Sequence, residues 1–88
     1  MTVPGSEEAP VVVDRSRDGV AVVTLNRPSR LNAMDAGLLA GLHDVLDELA
    51  LDGDCRVVVL TGAGRGFCAG LDLADPPRAP GSANLDRT

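Results

Sequence analysis

VVVLTGAGRGFCAGLDL, residues 57 to 73, is the stretch whose reading decides the fold. Val57-Val58-Val59-Leu60 is a continuous β-branched and aliphatic run with no polar alternation. A run of this kind suits a strand buried on both faces, as in a parallel sheet. Thr61 leads into a loop with glycine at 62, 64, 66 and 70, ending at Leu71-Asp72-Leu73. Glycines there allow positive φ and close approach of backbone to a ligand. Open α/β sheets bind ligands past the carboxyl ends of their strands, so any function belongs in this loop.

Upstream, Leu38, Leu42, Val45 and Leu49 recur at helical spacing, Leu39 and Leu46 widen the stripe, and Asp44, Asp47 and Glu48 fall mostly opposite. The pattern predicts a helix from about Ala33 to Leu51. Asn32 and Asp35 form a weak relative of a capping box, and Gly53 is expected to close the helix in the left-handed conformation. Further back, Val11-Val12-Val13 and Val20 to Leu25 (VAVVTL) read as strands around Asp18-Gly19, a hairpin signal. Pro28 breaks the second strand and holds Arg27 extended. Strand, helix and the strand Arg56 to Thr61 make a βαβ unit with a right-handed crossover. Residues 1–10 read as a flexible terminus. Ala74 to Thr88 (ADPPRAPGSANLDRT) has no apolar period and reads as disordered.

Composition narrows the class. The 88-residue chain carries eight Arg and no Lys against ten Asp and three Glu, a net charge of −5, which argues against a nucleic-acid scaffold. No apolar segment approaches the ~20 residues needed to cross a bilayer, and the acidic, turn-rich start is unlike a signal peptide. Cys55 and Cys68 form no CxxC pair, which points to a reducing cytoplasm. Metal-site spacing is absent: the single His43 has no ligand pattern around it and reads as a solvated surface residue.

Taken alone, the glycine loop has several readings. A phosphate loop of the GxxxxGK type fails for want of Lys and Ser or Thr in register. The glycines fall as GxGxG, and the βαβ unit precedes the loop, so the dinucleotide fingerprint is not met either. A glycine-rich connection without a ligand stays open. Against it stands the ending. Gly70-Leu71-Asp72 can present a bare backbone N–H at the start of a helical turn, where an oxygen bearing negative charge is stabilised.

These residues carry a resemblance. Four segments, in order and spacing, are similar to the amino-terminal part of the crotonase superfamily of enoyl-CoA hydratases and isomerases. They are Thr24-Leu25-Asn26-Arg27-Pro28, Leu31-Asn32-Ala33, the strand ending Thr61-Gly62, and Phe67-Cys68-Ala69-Gly70-Leu71-Asp72-Leu73. They cover residues 11–73. The resemblance implies an α/β fold of the ββα-spiral type, truncated here to strand–strand–helix–strand plus the oxyanion loop. It implies acyl-CoA thioester substrates, stabilisation of the thioester enolate, and trimers or paired trimers among full-length relatives. No separate cofactor is implied, because coenzyme A is part of the substrate. By the same resemblance the backbone N–H of Leu71 is one of two oxyanion-hole donors. Arg30, Leu31, Ala33, Ala69, Gly70, Leu71 and Asp72 lie along the coenzyme A path. Asp72 also has a structural reading, capping the turn that follows it. Cys68 reads as a small apolar residue beside Phe67, not as a nucleophile.

Departures from the family pattern sharpen the expectation. Ser29 and Ala74 stand where several relatives carry Lys, with Arg30 or Arg78 able to compensate. The second oxyanion donor and the acid/base carboxylates come from downstream segments in the family, and Glu7, Glu8 and Glu48 are not placed by the matched motifs. The chain therefore reads as an enoyl-CoA hydratase/isomerase-like fragment holding half an active site. Two alternatives stand beside it: a non-catalytic crotonase-fold module that associates with other subunits, and a mononucleotide-binding βαβ protein.

Overall fold

A computed structural model describes residues 9–74. The expectations for residues 1–8 and 75–88, including Arg78 as a compensating cation, lie outside that range. Strand β1 (Val11–Arg17), strand β2 (Val20–Leu25), helix α1 (Ala36–Leu51) and strand β3 (Val57–Gly62) follow in order, with a 3-10 turn at Pro28–Arg30. The sheet order is β1-β2-β3, antiparallel between β1 and β2 and parallel between β2 and β3. This is the expected strand–strand–helix–strand arrangement. The turn between β1 and β2 is Asp18-Gly19, where Gly19 takes φ +77. At the other end of the hairpin Asn26 donates to the carbonyls of Ala9, through its side chain (2.9 Å), and Pro10, through its backbone (2.8 Å).

Period-two alternation puts Ala21, Val23 and Leu25 on one face of β2. They meet Leu38, Leu42 and Leu49 of α1 to form the buried cluster, with Val11, Met34, Val45, Cys55 and Cys68 packed around it. Burying a leucine contributes about 1.5–3 kcal/mol, so this small group is what holds the helix to the sheet. Gly41 faces Val11, where a Cβ would meet the valine methyl at 3.4 Å, so the helix lies close on β1.

Four local expectations are corrected. The helix begins at Ala36, not Ala33, because Asp35 is the cap: its carboxylate accepts the Leu38 N–H at 2.8 Å. Gly53 is not left-handed. Asp52 ends the helix in an extended conformation, its N–H reaching the Leu49 carbonyl at 3.2 Å. Leu46 does not join the stripe and is 41% exposed, since the sheet under α1 reaches only the Leu38–Leu42–Leu49 line. Finally, β3 is parallel as expected but not buried on both faces. Val57 to Leu60 are 42–52% exposed, because among the described residues α1 packs on β1 and β2 and nothing pairs with the far edge of β3.

Candidate active site

β2 and β3 end side by side, Leu25 opposite Gly62, and the segments leaving them run together. The Ala63 N–H returns to the Leu25 carbonyl at 2.8 Å. Gly62 sits where no side chain fits: a Cβ there would lie 2.6 Å from the Gly66 carbonyl oxygen and 2.7 Å from the Asn32 amide nitrogen. Asn32 fills the corner. It is fully buried, its φ is +58, and its side chain joins three backbone atoms. The amide oxygen accepts the Arg27 N–H at 2.7 Å, and the amide nitrogen donates to Ala63 O (2.9 Å) and Gly66 O (2.8 Å). One side chain thus ties the corner after β2 to the glycine loop after β3.

Beyond that knot, residues 31–34 run beside 69–72. Ala69 N–H donates to Leu31 O at 3.0 Å, Met34 N–H to Gly70 O at 2.7 Å, and Asp72 N–H to Met34 O at 2.8 Å. The last two bonds form an isolated parallel bridge between Met34 and Leu71. In a parallel bridge the central residue of the accepting segment turns its own N–H and C=O to the opposite side. Leu71 is that residue. Among the described residues its N–H has no hydrogen-bond partner. Gly70, at φ +102, makes the backbone rotation that sets up this geometry, and it does so where a non-glycine residue would be strained. The bare N–H expected from the sequence is therefore present, with a correction: a β-bridge presents it, not the start of a helical turn.

The expected site residues divide as follows. Leu31, Ala33, Ala69, Gly70, Leu71 and Asp72 come together on the two adjacent segments. Arg30 lies next to them with its side chain exposed. Asp72 is buried: one carboxylate oxygen accepts the Ala74 N–H at 3.0 Å, capping the turn, and the other pairs with Arg27 at 3.3 Å. Cys68 is half-buried against the core and Phe67 is 54% exposed. His43 is exposed on α1. Glu48 is also exposed on α1.

Sequence reading missed Arg27 and the full role of Asn32. Arg27 is largely buried. It donates to the Ala33 carbonyl and pairs with Asp35 (3.4 Å) as well as Asp72. No local pattern marks a contact between residues 27 and 72. For Asn32 a signal existed, since asparagine is enriched at positive φ. Among the described residues no group of three or more His, Cys, Asp or Glu converges to hold a metal. An open groove at the opposite end of the sheet is lined by Arg15, Arg17, Asp18, Gly19, Asp54 and Arg56. It lies at the amino ends of β2 and β3, far from the glycine loop.

Comparison with known proteins identifies the family and the fold. The family profile described as Enoyl-CoA hydratase/isomerase matches residues 15–83. A probable enoyl-CoA hydratase of Mycobacterium leprae is 55% identical over 62 residues, 70% of this chain and 21% of that protein. The 1,2-epoxyphenylacetyl-CoA isomerase of Escherichia coli is 45% identical over 64 residues, 73% of this chain and 24% of that protein. The solved structure of a monofunctional enoyl-CoA isomerase from M. smegmatis superposes with a TM-score of 0.68 at 52% identity, over 72% of this chain and 30% of that one. The chain thus spans less than a third of the length of these relatives, and its α/β architecture is the corresponding part of the crotonase fold. It belongs to the enoyl-CoA hydratase/isomerase family.

Proposed function

We propose that this chain binds an acyl-CoA thioester along Arg30, Leu31, Ala33 and residues 69–72, and that the Leu71 N–H donates to the thioester oxygen as enolate charge builds on it. The observation that carries the reading is the outward-turned amide of Leu71, without a hydrogen-bond partner among the described residues, on a bridged segment just past two parallel strands. A preorganised backbone donor of this kind stabilises a developing oxyanion by about 3–4 kcal/mol. The reaction class is hydration or isomerisation of an enoyl thioester. A second donor and a proton-transferring carboxylate have to come from outside the described residues. Asp72 is not that carboxylate, because its oxygens are committed to Ala74 and Arg27. A cytoplasmic location belongs to the same reading, supported by two unpaired thiols at Cys55 and Cys68.

Calorimetric titration of the purified chain with crotonyl-CoA and with free coenzyme A tests binding. The expected result is weak binding with a preference for the thioester. Equal affinity for both, or none for either, refutes the oxyanion role. Absorbance assays with crotonyl-CoA are expected to show no enzymatic turnover, since none of the described residues supplies the general acid–base help worth roughly 10²–10⁴ in rate. Turnover near an ordinary ~10 s⁻¹, abolished by Asp72→Asn, would make Asp72 the base after all. A second reading, an interaction module of the same fold, is favoured by one observation: the apolar, half-exposed edge strand β3.

A further inference from the structure

We infer that Arg27 is a positioning residue whose guanidinium fixes the direction of the Leu71 amide; the inference rests on the oxyanion reading given under Proposed function. The Met34–Leu71 bridge is isolated, held by two backbone hydrogen bonds with no ladder continuing on either side. Ala69, Gly70 and Leu71 are exposed, so little side-chain packing steadies them. Gly70 adds backbone freedom at the point where the amide is set. With the Ala69 N–H to Leu31 O bond at 3.0 Å, three backbone hydrogen bonds join the two segments, and among the described residues none of them uses the N–H or C=O of Leu71 itself.

Arg27 supplies what the bridge lacks. Its Nη1 donates to the carbonyl of Ala33, the residue just before Met34. Its Nη2 reaches Asp35, the residue just after Met34, at 3.4 Å and Asp72, the residue just after Leu71, at 3.3 Å. One planar group therefore grips both partners of the bridge, flanking Met34 on either side and holding Leu71 from its carboxyl side. The three side chains are only 10–20% exposed, so water screens these pairs less than it would on an open surface. The fork matters: five N–H donors in a fixed plane span three acceptors, whereas a lysine ammonium is a point charge on a flexible stem. Asp35 also caps α1, so the same guanidinium fixes the bridge relative to the helix.

Amide hydrogen exchange, read by NMR on the 88-residue chain, tests this in Arg27→Ala and Arg27→Lys. The bridging amides of Met34 and Asp72 are expected to exchange about ten- to a hundredfold faster in Arg27→Ala, the loss of a charge-assisted grip. Arg27→Lys is expected to fall between it and the unsubstituted chain. Val22 and Val23 of the central strand should keep their rates in both, as the internal measure of the fold. Titration with crotonyl-CoA and free coenzyme A adds a readout that a merely structural residue would not move. Arg27→Ala should bring the thioester-to-coenzyme preference towards one, not lower both affinities alike. Unchanged Met34 and Asp72 exchange with β2 intact overturns the proposal. So does loss of β2 protection in both variants, which would make Arg27 a general fold residue. If the unsubstituted chain shows no thioester preference, the oxyanion reading fails, and the exchange rates still judge the clasp by themselves.

Discussion

Replacing Asn32 with alanine perturbs a fully buried polar knot of three hydrogen bonds. The substitution removes partners from the Arg27 N–H, the Ala63 carbonyl and the Gly66 carbonyl in a fully buried corner. Each group left without its hydrogen bond costs about 1 kcal/mol, or about 3 kcal/mol together. Alanine must also hold φ near +58, which adds about 1 kcal/mol of backbone strain. The total of about 4 kcal/mol is large against the ~0.05–0.15 kcal/mol per residue typical of native domains. Asn32→Ala should leave the chain close to unfolded in water. Asn32→Gly separates the two contributions, since glycine accepts the left-handed backbone but makes none of the bonds, so it should recover about 1 kcal/mol. Urea unfolding must be followed by far-ultraviolet circular dichroism, because the chain has neither Trp nor Tyr. An Asn32→Ala midpoint within about 1 kcal/mol of the unsubstituted chain, by the usual linear extrapolation, would refute the reasoning. Equal stabilities for the alanine and glycine variants would refute its backbone half.

On α1, Leu38→Ala and Leu42→Ala should each cost about 2–5 kcal/mol in the same assay, while Leu46→Ala and His43→Ala should cost under about 1 kcal/mol; similar losses for all four would contradict the helix face described. Edge strand β3 carries no charge or proline, and sedimentation velocity should show association that rises with concentration. Val58→Lys should weaken that association about tenfold, and a strictly monomeric unsubstituted chain at every concentration would exclude it. The Asp52 carboxyl is held below its ordinary range, first by the Asp54 backbone N–H and then by Arg15, whose guanidinium is raised in turn, chiefly by its bond to Asp52. A depressed carboxylate gives stability that is fully present above its unfolded pKa of about 4 and is lost as pH falls through the lower folded value. Both groups face solvent, so the effect is small. Asp52→Asn should flatten the acid limb of the stability–pH curve slightly and leave pH 7 almost unchanged.

Features with local causes could be read directly from the chain. The Asp18-Gly19 hairpin, the limits of β2, the parallel partner strand and the Leu38–Leu42–Leu49 line all follow from turn chemistry and period. The helix start was hidden because Asn32 spends its side chain on Ala63 and Gly66, leaving the cap to Asp35. Val57–Val58–Val59–Leu60 states what a strand needs in a complete sheet, and says nothing about whether the cover is present. In the site, the Leu71 amide was legible from the glycines and the resemblance. The guanidinium joining Asp35 to Asp72 was not, since nothing near Arg27 in sequence announces a partner 45 positions away.

The two pairings of the sheet also differ in when they can form. β1 and β2 meet across a two-residue turn, a contact that closes on the order of 1–10 μs once the chain is released. β2 and β3 can align only after the whole segment from Asn26 to Arg56 has folded back, and that closure has an entropic cost before any pairing rewards it. The hairpin is thus a template waiting for its third strand. A substitution at Gly19 should slow the folding limb of a chevron, whereas one at Val58 should chiefly hasten unfolding. The glycine loop and the Leu71 amide, hanging from the end of β3, are then among the last parts of the molecule to take shape.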